Sequence, residues 1–450
     1  MSGLFGTDSA RGITVTELSC ELAMQAGRAA AELLAKEEGG KIVVAKDSKL
    51  SSDILEAAVC AGICSSGIDA ETLGAVPAAA ASYIVREHKA SAGIMITGAA
   101  GISDASGIRL FASDGFRLDE RIQDELENYA INRSKSSAQK KFDNIGRMLN
   151  CTTAAEEYIK HIKSIMSTDL AGLKIAVICE ENCSGLTAGK LFAELGAEVD
   201  MVSVSENDDA GFGAEVTDLE RLMDQVAAGD YCCGLAFGGD GGSCLAVDEN
   251  GSLVDGDQLL AIFAKYYKEQ GKLKDDSVVI NTMSGLGLLN FAKDNGIKTV
   301  TSGAAGRSVI DRMMEGGYNL GGDRNGHVFF MDDSPCEDGQ LCGAKLLEII
   351  KKTGKKLSEL AGELKKLPQI SLNVRINDSS REIWKNDQSI TDLIEWYQGE
   401  FGDTGRVVVR ESGTAAPFIT IMIEGSDFGR INSIAVEIAE RIKQRCGIKQ

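Results

Sequence analysis

The chain has 450 residues, with 47 basic and 67 acidic side chains and a formal net charge of −20. At roughly 100–200 residues per domain, that length predicts three or four domains. The acidic balance excludes nucleic acid and an anionic membrane surface as partners, because no extended basic face remains to neutralise phosphates; a local basic pocket for a small phosphate ester stays open.

In chain order, apolar positions at Leu18, Leu22, Ala26, Ala30, Leu33 and Leu34 have helical spacing, and Gly39 with Gly40 ends that helix. KIVVAKD follows as a strand, Asp53 to Cys64 as a helix, Ala78 to His88 as another, and Ala92 to Thr97 as a strand. This alternation predicts a mostly parallel sheet covered on both faces. The pattern restarts at Leu173 (LKIAVICEENCSG, helix Leu186 to Leu195, strand GAEVDMVSV) and again at Asp276 (DSVVINTMSG, helix Leu286 to Asn295, strand IKTVTSG). The end differs: SLNVRIND, RVVVRESG and FITIMIEG are β-rich, and a helix from Ile431 to Arg445 closes the chain. Lys351 to Lys366 predicts a solvated helix before a linker at Leu367–Pro368.

No run of about 18 apolar residues suggests a membrane span. The start of the chain shows no basic-then-apolar leader. Twelve cysteines without zinc-type spacing predict buried small hydrophobes in a reducing, cytoplasmic setting, and three histidines argue against a histidine-rich metal site.

Six segments stand in a fixed order: LFGTDSARG, KDSKLSSD with PAAA downstream, GIMITGAAGISDASGIRLFASDGFRL, GLAFGGDGGSCLAVDENG, GGYNLGGDRNGHVFF and VVVRESGTAAPFITIMIEG. Together they resemble the alpha-D-phosphohexomutases, the phosphoglucomutase/phosphomannomutase superfamily, and within it the phosphoglucosamine mutases. The resemblance implies an α/β fold of four domains around one cleft. Three are related α/β domains with mixed, mostly parallel sheets, and the fourth is α+β. The expected boundaries are 1–150 with a phosphoserine loop, 151–252 with a metal loop, 253–367 with a sugar loop and 368–450 with a phosphate-anchoring loop. It also implies phosphoryl cycling between an enzyme serine and the two ends of a hexose, with one magnesium ion.

The loops depart from the pattern where that chemistry sits. A phosphoserine loop of the type Ser-His-Asn-Pro needs an activated hydroxyl, yet the nucleophile position is Ala99, the histidine position Ala100, and the next two are Gly101 and Ile102. Thr97, Ser103 and Ser106 are each offset by two residues or more, and transfer geometry tolerates little displacement. A metal loop of the type Asp-Gly-Asp-Gly-Asp-Arg converges three carboxylates on one hard cation; here Gly238-Gly239-Asp240-Gly241-Gly242-Ser243 keeps Asp240 alone. No cofactor is therefore expected, although magnesium serves the family.

The sugar loop reads Gly322-Asp323-Arg324-Asn325-Gly326-His327, in which Asp323 offers an acceptor, Asn325 both donor and acceptor, Arg324 a group for phosphate or carboxylate, and His327 a further polar side chain. The phosphate-anchoring loop keeps Arg410, Ser412, Gly413 and Thr414, a guanidinium, two hydroxyls and an open backbone suited to a phosphate dianion, but loses its glutamate at Ala415–Ala416 and its later arginine at Thr420. Arg11 is retained, and the resemblance places it toward the phosphoserine site.

Three functions follow as expectations. The first is a catalytically inactive phosphoglucosamine-mutase-like protein that binds a hexose phosphate as a sensor or regulator, as a homodimer or with an active mutase as partner. The second is a phosphohexomutase of residual or altered activity. The third is a structural subunit with an empty cleft.

Overall fold

The computed structural model describes residues 10–13, 18–35, 40–99, 102–132, 145–179, 183–203, 216–303, 306–377, 380, 383–412 and 418–447. Four sheets follow one another along the chain.

The first contains β1 (Ala10–Ile13), β2 (Lys41–Lys46), β3 (Asp69–Ala75), β4 (Ala92–Ala99), β5 (Ile102–Ala112) and β6 (Met148–Asn150), in the order β1-β5-β4-β2-β3-β6. β2 pairs in parallel with β3 and β4, while β5 runs antiparallel to β4 and β1. Ile42, Val43, Val44 and Ala45 of β2 are all fully buried, as expected of a central parallel strand with helices on both faces.

The second sheet, β7 (Lys174–Ile178), β8 (Glu198–Val202), β9 (Cys233–Phe237), β10 (Cys244–Asp248) and β11 (Leu253–Val254), has the order β11-β10-β9-β7-β8. The third, β12 (Ser277–Asn281), β13 (Lys298–Ser302), β14 (Leu320–Gly322) and β15 (Val328–Phe330), has the order β13-β12-β14-β15. Both are parallel on one side and end in antiparallel hairpins, β9–β10 and β14–β15. The fourth, β16 (Gln369–Arg375), β17 (Arg406–Ser412) and β18 (Phe418–Glu424), is antiparallel with β18 in the middle. This is the α/β fold, closing in an α+β unit, that the alternation predicted.

One continuous apolar core runs from Val43 and Ile84 beside the first sheet, through Phe192 and Phe237, to Ile280 and Phe330 of the third. The terminal sheet has its own core, built from Ile419, Ile421 and Ile423 against Ile431, Ile434, Ile438 and Ile442 of the last helix, Phe428–Cys446. The two bodies are joined through buried Glu424. Its carboxylate accepts from the Leu286 amide at 2.9 and 3.0 Å, at the start of the helix Leu286–Asp294, and pairs with Arg406 Nε at 3.0 Å. An anion there satisfies a helix N-terminus that side-chain capping otherwise leaves open.

The expected helix over 351–366 is not formed as one element. The helix Gly339–Thr353 ends where Gly354 takes φ 65°, and a short helix, Leu357–Ala361, follows. Glycine adopts that left-handed conformation without a Cβ penalty, and it stops a lysine-rich run that would otherwise continue. No helix among the described residues is long and apolar enough to cross a membrane.

Candidate functional site

Two of the expected loops, those of the β9–β10 and β14–β15 hairpins, meet. The β9–β10 loop docks on the first sheet's side through its backbone, with the Ala78 amide donating to the Asp240 carbonyl at 2.9 Å, just beyond Pro77. It also meets the β14–β15 hairpin, where Ser243 and His327 form a bridge and the Cys244 amide donates to Gly326 O at 3.0 Å. Gly326 sits at φ 91°, and a Cβ there would lie 2.2 Å from Cys244 O, so only glycine lets the two loops approach this closely.

Asp240 is the remaining acid of the expected metal loop, and its partner is a protein cation. Arg109, buried on β5, places Nη2 2.9 Å from Asp240 Oδ2 and Nη1 3.4 Å from Glu337 Oε1. Arg117 bonds the same Glu337 oxygen, and the Gly242 amide donates to Asp240 Oδ1 at 2.9 Å. Burial opposes the charge on Asp240, but Arg109, the Gly242 amide, His327 and Arg117 outweigh it and bring its carboxyl to about 2.

Further carboxylates in this loop would require neighbouring side chains to shift. A Cβ at Gly242 would meet Glu337 Cγ at 2.9 Å and Asp240 Oδ1 at 3.1 Å, and one at Gly238 would meet Ser243 Oγ at 2.5 Å. A hard divalent cation requires several oxygens without neighbouring cations. Among the described residues, Asp240 is instead paired with Arg109 and Glu337 is held by two arginines.

In the sugar loop, Asp323 is buried and turned into its own hairpin. Its Oδ1 accepts from the Asn325 and His327 amides at 2.9 and 3.2 Å, and Oδ2 lies 3.1 Å from His327 Nδ1. His327 is half-buried; burial disfavours its charge, but Asp323, Glu337 and Asp240 raise it to about 9. Asn325 is exposed. Arg324 reaches Asp255 Oδ2 at 3.5 Å and bonds Gln369 Oε1 at the start of β16, tying this hairpin toward the terminal sheet. The structure therefore brings Asp240 and His327 together with Arg109, and sends Arg324 elsewhere.

Arg410 lies on β17 across from Thr420. Its Nε is buried with no hydrogen-bond partner among the described residues, and burial lowers its pKa. Such an orphaned guanidinium nitrogen is suited to an anion. Ser412 ends β17, with its side chain outside the described residues, as Gly413 and Thr414 are entirely.

Near the serine-loop position, β4 ends at Ala99, and Ala100 and Gly101 lie outside the described residues. The Gly98 amide donates to Asp47 Oδ2 at 2.6 Å. Lys49 Nζ stands 2.5 Å from where a Gly98 Cβ would be and is buried without a partner among the described residues. Thr97 and Ser106 are buried; Thr97 Oγ1 points back to the Gly98 carbonyl, and Ser106 Oγ lies 3.3 Å from Ser51 Oγ. Arg11 occupies β1 opposite Gly107, its side chain outside the described residues.

Sequence reasoning missed Arg109, Arg117 and Glu337. The available signal was Arg109 itself, an arginine between Ile108 and Leu110 in a strand, which must find an acid if it is buried. Its partner, more than a hundred residues away, carried no signal.

A mixed-sheet fold in which the loops of the second and third sheets meet beside Arg109 of the first is the setting in which the comparisons fall. Residues 2–137 match the phosphoglucomutase/phosphomannomutase alpha/beta/alpha domain I model, and residues 255–367 match domain III. A phosphoglucosamine mutase of Clostridium novyi is 39% identical over 451 residues, covering 99% of each chain. A phosphoglucomutase/phosphomannomutase family protein of Burkholderia thailandensis has a similar solved structure, with a TM-score of 0.79 at 20% identity, over 99% of this chain and 98% of that one. An Aspergillus fumigatus N-acetylphosphoglucosamine mutase, solved as a serine-to-alanine variant with glucose 1,6-bisphosphate, has a TM-score of 0.67 at 13% identity over 100% of this chain and 96% of its own. The chain belongs to the phosphoglucomutase/phosphomannomutase family.

Proposed function

We propose that this chain is a cytoplasmic phosphoglucosamine-mutase-like protein that binds a hexose phosphate without the phosphoserine cycle. The observation that carries this is Arg109 on Asp240: a guanidinium occupies the acid that would hold the metal, and the positions of the missing carboxylates are glycines crowded by Ser243 and Glu337. Ala99 adds that no ester can form at the nucleophile position. Removing a nucleophile alone costs on the order of 10⁶ in rate in well-studied hydrolases.

Binding is supported by the buried nitrogens of Arg410 and Lys49, which have no hydrogen-bond partner among the described residues. The Aspergillus fumigatus variant, with alanine in place of a serine, was solved with glucose 1,6-bisphosphate. On this reading Arg410, with Ser412, Gly413 and Thr414, holds the phosphate, and Asn325 and His327 face the sugar. The four segments 1–150, 151–252, 253–367 and 368–450 act as the domains around that cleft.

A second reading, a working phosphoglucosamine mutase, is favoured by the full-length similarity to proteins of that name. It would need a nucleophile other than residue 99. Interconversion of glucosamine 6-phosphate and glucosamine 1-phosphate, followed by phosphorus NMR with magnesium and a hexose bisphosphate, separates the two. Saturable ligand binding without interconversion supports the first; turnover at a mutase rate supports the second.

A further inference from the structure

We propose that Glu71, His88 and Cys151 form a site for one zinc-class divalent ion. One ligand atom from each lies within 4.8 Å of the others, and all three residues are half-buried. Glu71 is on β3, His88 closes the helix Ala78–Glu87, and Cys151 directly follows β6. Backbone bonds fix each one: Glu71 pairs with Leu149 across the parallel β3–β6 ladder, the Cys151 amide donates to Thr72 O at 2.9 Å, and the His88 amide donates to Ile84 O at 2.9 Å.

The donor set of one thiolate, one imidazole and one carboxylate is borderline-soft, which selects zinc, or cobalt as its spectroscopic substitute, over magnesium or calcium. Bonds of about 2.0–2.3 Å in a tetrahedron place ligand atoms roughly 3.5 Å apart, so the three atoms need only a small inward movement. The site also has an outer shell. Glu157 Oε2 lies 3.0 Å from His88 Nε2, and Thr153 Oγ1 donates to Glu157 Oε1 at 2.5 Å. Without the ion both ring nitrogens face carboxylates, Nδ1 at 3.1 Å from Glu71 Oε2; binding would release the Nδ1 proton and give that lone pair to the ion, while Nε2–H stays on Glu157. A carboxylate behind an imidazole is the arrangement that orients metal-bound histidines and raises their basicity. Lys41 Nζ, 2.8 Å from the same Glu71 oxygen, is the cation that the metal ion displaces. Three protein ligands leave a fourth position for water. Glu157 and Thr153 belong to the segment leading into the second sheet, so the ion would fasten the helix Ala154–Ile165 against the first sheet.

The test uses the full chain, freed of metal by chelator and titrated with Co²⁺ and then Zn²⁺. The expected result is one equivalent of Co²⁺ with a thiolate-to-cobalt charge-transfer band in the near ultraviolet, bleached by Zn²⁺ and unaffected by excess Mg²⁺. Cys151→Ser removes the band, and Glu157→Gln weakens the affinity about 10–100-fold. On the unmodified protein, Zn²⁺ should protect Cys151 from alkylation, read by peptide mass spectrometry, so the result does not depend on a variant folding. A titration with no saturable equivalent, a band that persists in Cys151→Ser, or alkylation of Cys151 at the same rate with and without Zn²⁺ would each overturn the proposal.

Discussion

Arg109 Nη2 lies 2.9 Å from Asp240 Oδ2, joining β5 of the first sheet to the β9–β10 loop of the second. Both side chains are held further, Arg109 by Glu337 and Asp240 by the Gly242 amide. Removing one partner of a buried pair leaves an uncompensated charge, which typically costs about 3–5 kcal/mol. Arg109→Met is therefore expected to lower unfolding stability by about 3 kcal/mol, measured in urea. Arg109→Met combined with Asp240→Asn should recover part of that loss; an additive double mutant would show that the two residues are not coupled.

Gly242 tests the space rather than the charge. Aspartate there would push its Cβ into Glu337 Cγ and Asp240 Oδ1. Overpacking of this kind costs about 1–3 kcal/mol, so Gly242→Asp should lower the thermal midpoint without creating a magnesium-dependent rise. A midpoint that climbs with added Mg²⁺ would mean the loop can open into a metal site.

The pH dependence has two limbs at this centre. Asp240 is depressed from 3.8 to about 2, so its contribution is complete above 3.8 and is lost as the pH falls toward 2. His327 is raised from 6.5 to about 9, so its contribution is complete below 6.5 and is lost as the pH rises through about 9. Asp257 and Asp338, pushed up to about 6 by burial, act with the opposite sign, because their penalty recedes as the pH falls from about 6 to 3.8. Stability measured against pH should thus fall as the pH rises from about 6.5 through about 9, and His327→Gln should flatten that limb. An unchanged alkaline limb in the variant would remove His327 as its source.

Glu424 couples the terminal body to the rest. It is buried, bonds the Leu286 amide and pairs with Arg406. Glu424→Gln keeps the shape and removes the charge, stranding Arg406 at a cost of about 3 kcal/mol. Calorimetry should show the terminal unit, with its own core, unfolding earlier than the remainder; a single unshifted transition would contradict this.

The helices and strands were legible because their spacing is set by burial on one or both faces, as in KIVVAK, where four successive apolar side chains reach the interior. The loops were legible as segments, since their glycines and acids stand in recognisable order. What those loops do to one another was not. Asp323 reads as a sugar ligand in isolation, but in three dimensions both its oxygens serve His327 in its own hairpin. Arg324 reads as free to meet an anion, but it is committed to Asp255 and Gln369. Arg109 and Glu337, 228 positions apart, leave no local pattern, because ion pairing is decided by topology after the sheets form.

The most direct test of the account is intact and peptide mass spectrometry of the native chain after incubation with Mg²⁺ and a hexose 1,6-bisphosphate, alongside calorimetric titration with the same ligand. The account predicts saturable, magnesium-independent binding and no added phosphoryl group on any peptide spanning residues 92–112. A phosphorylated residue in that span, formed only with Mg²⁺ and discharged by a hexose monophosphate, would contradict it.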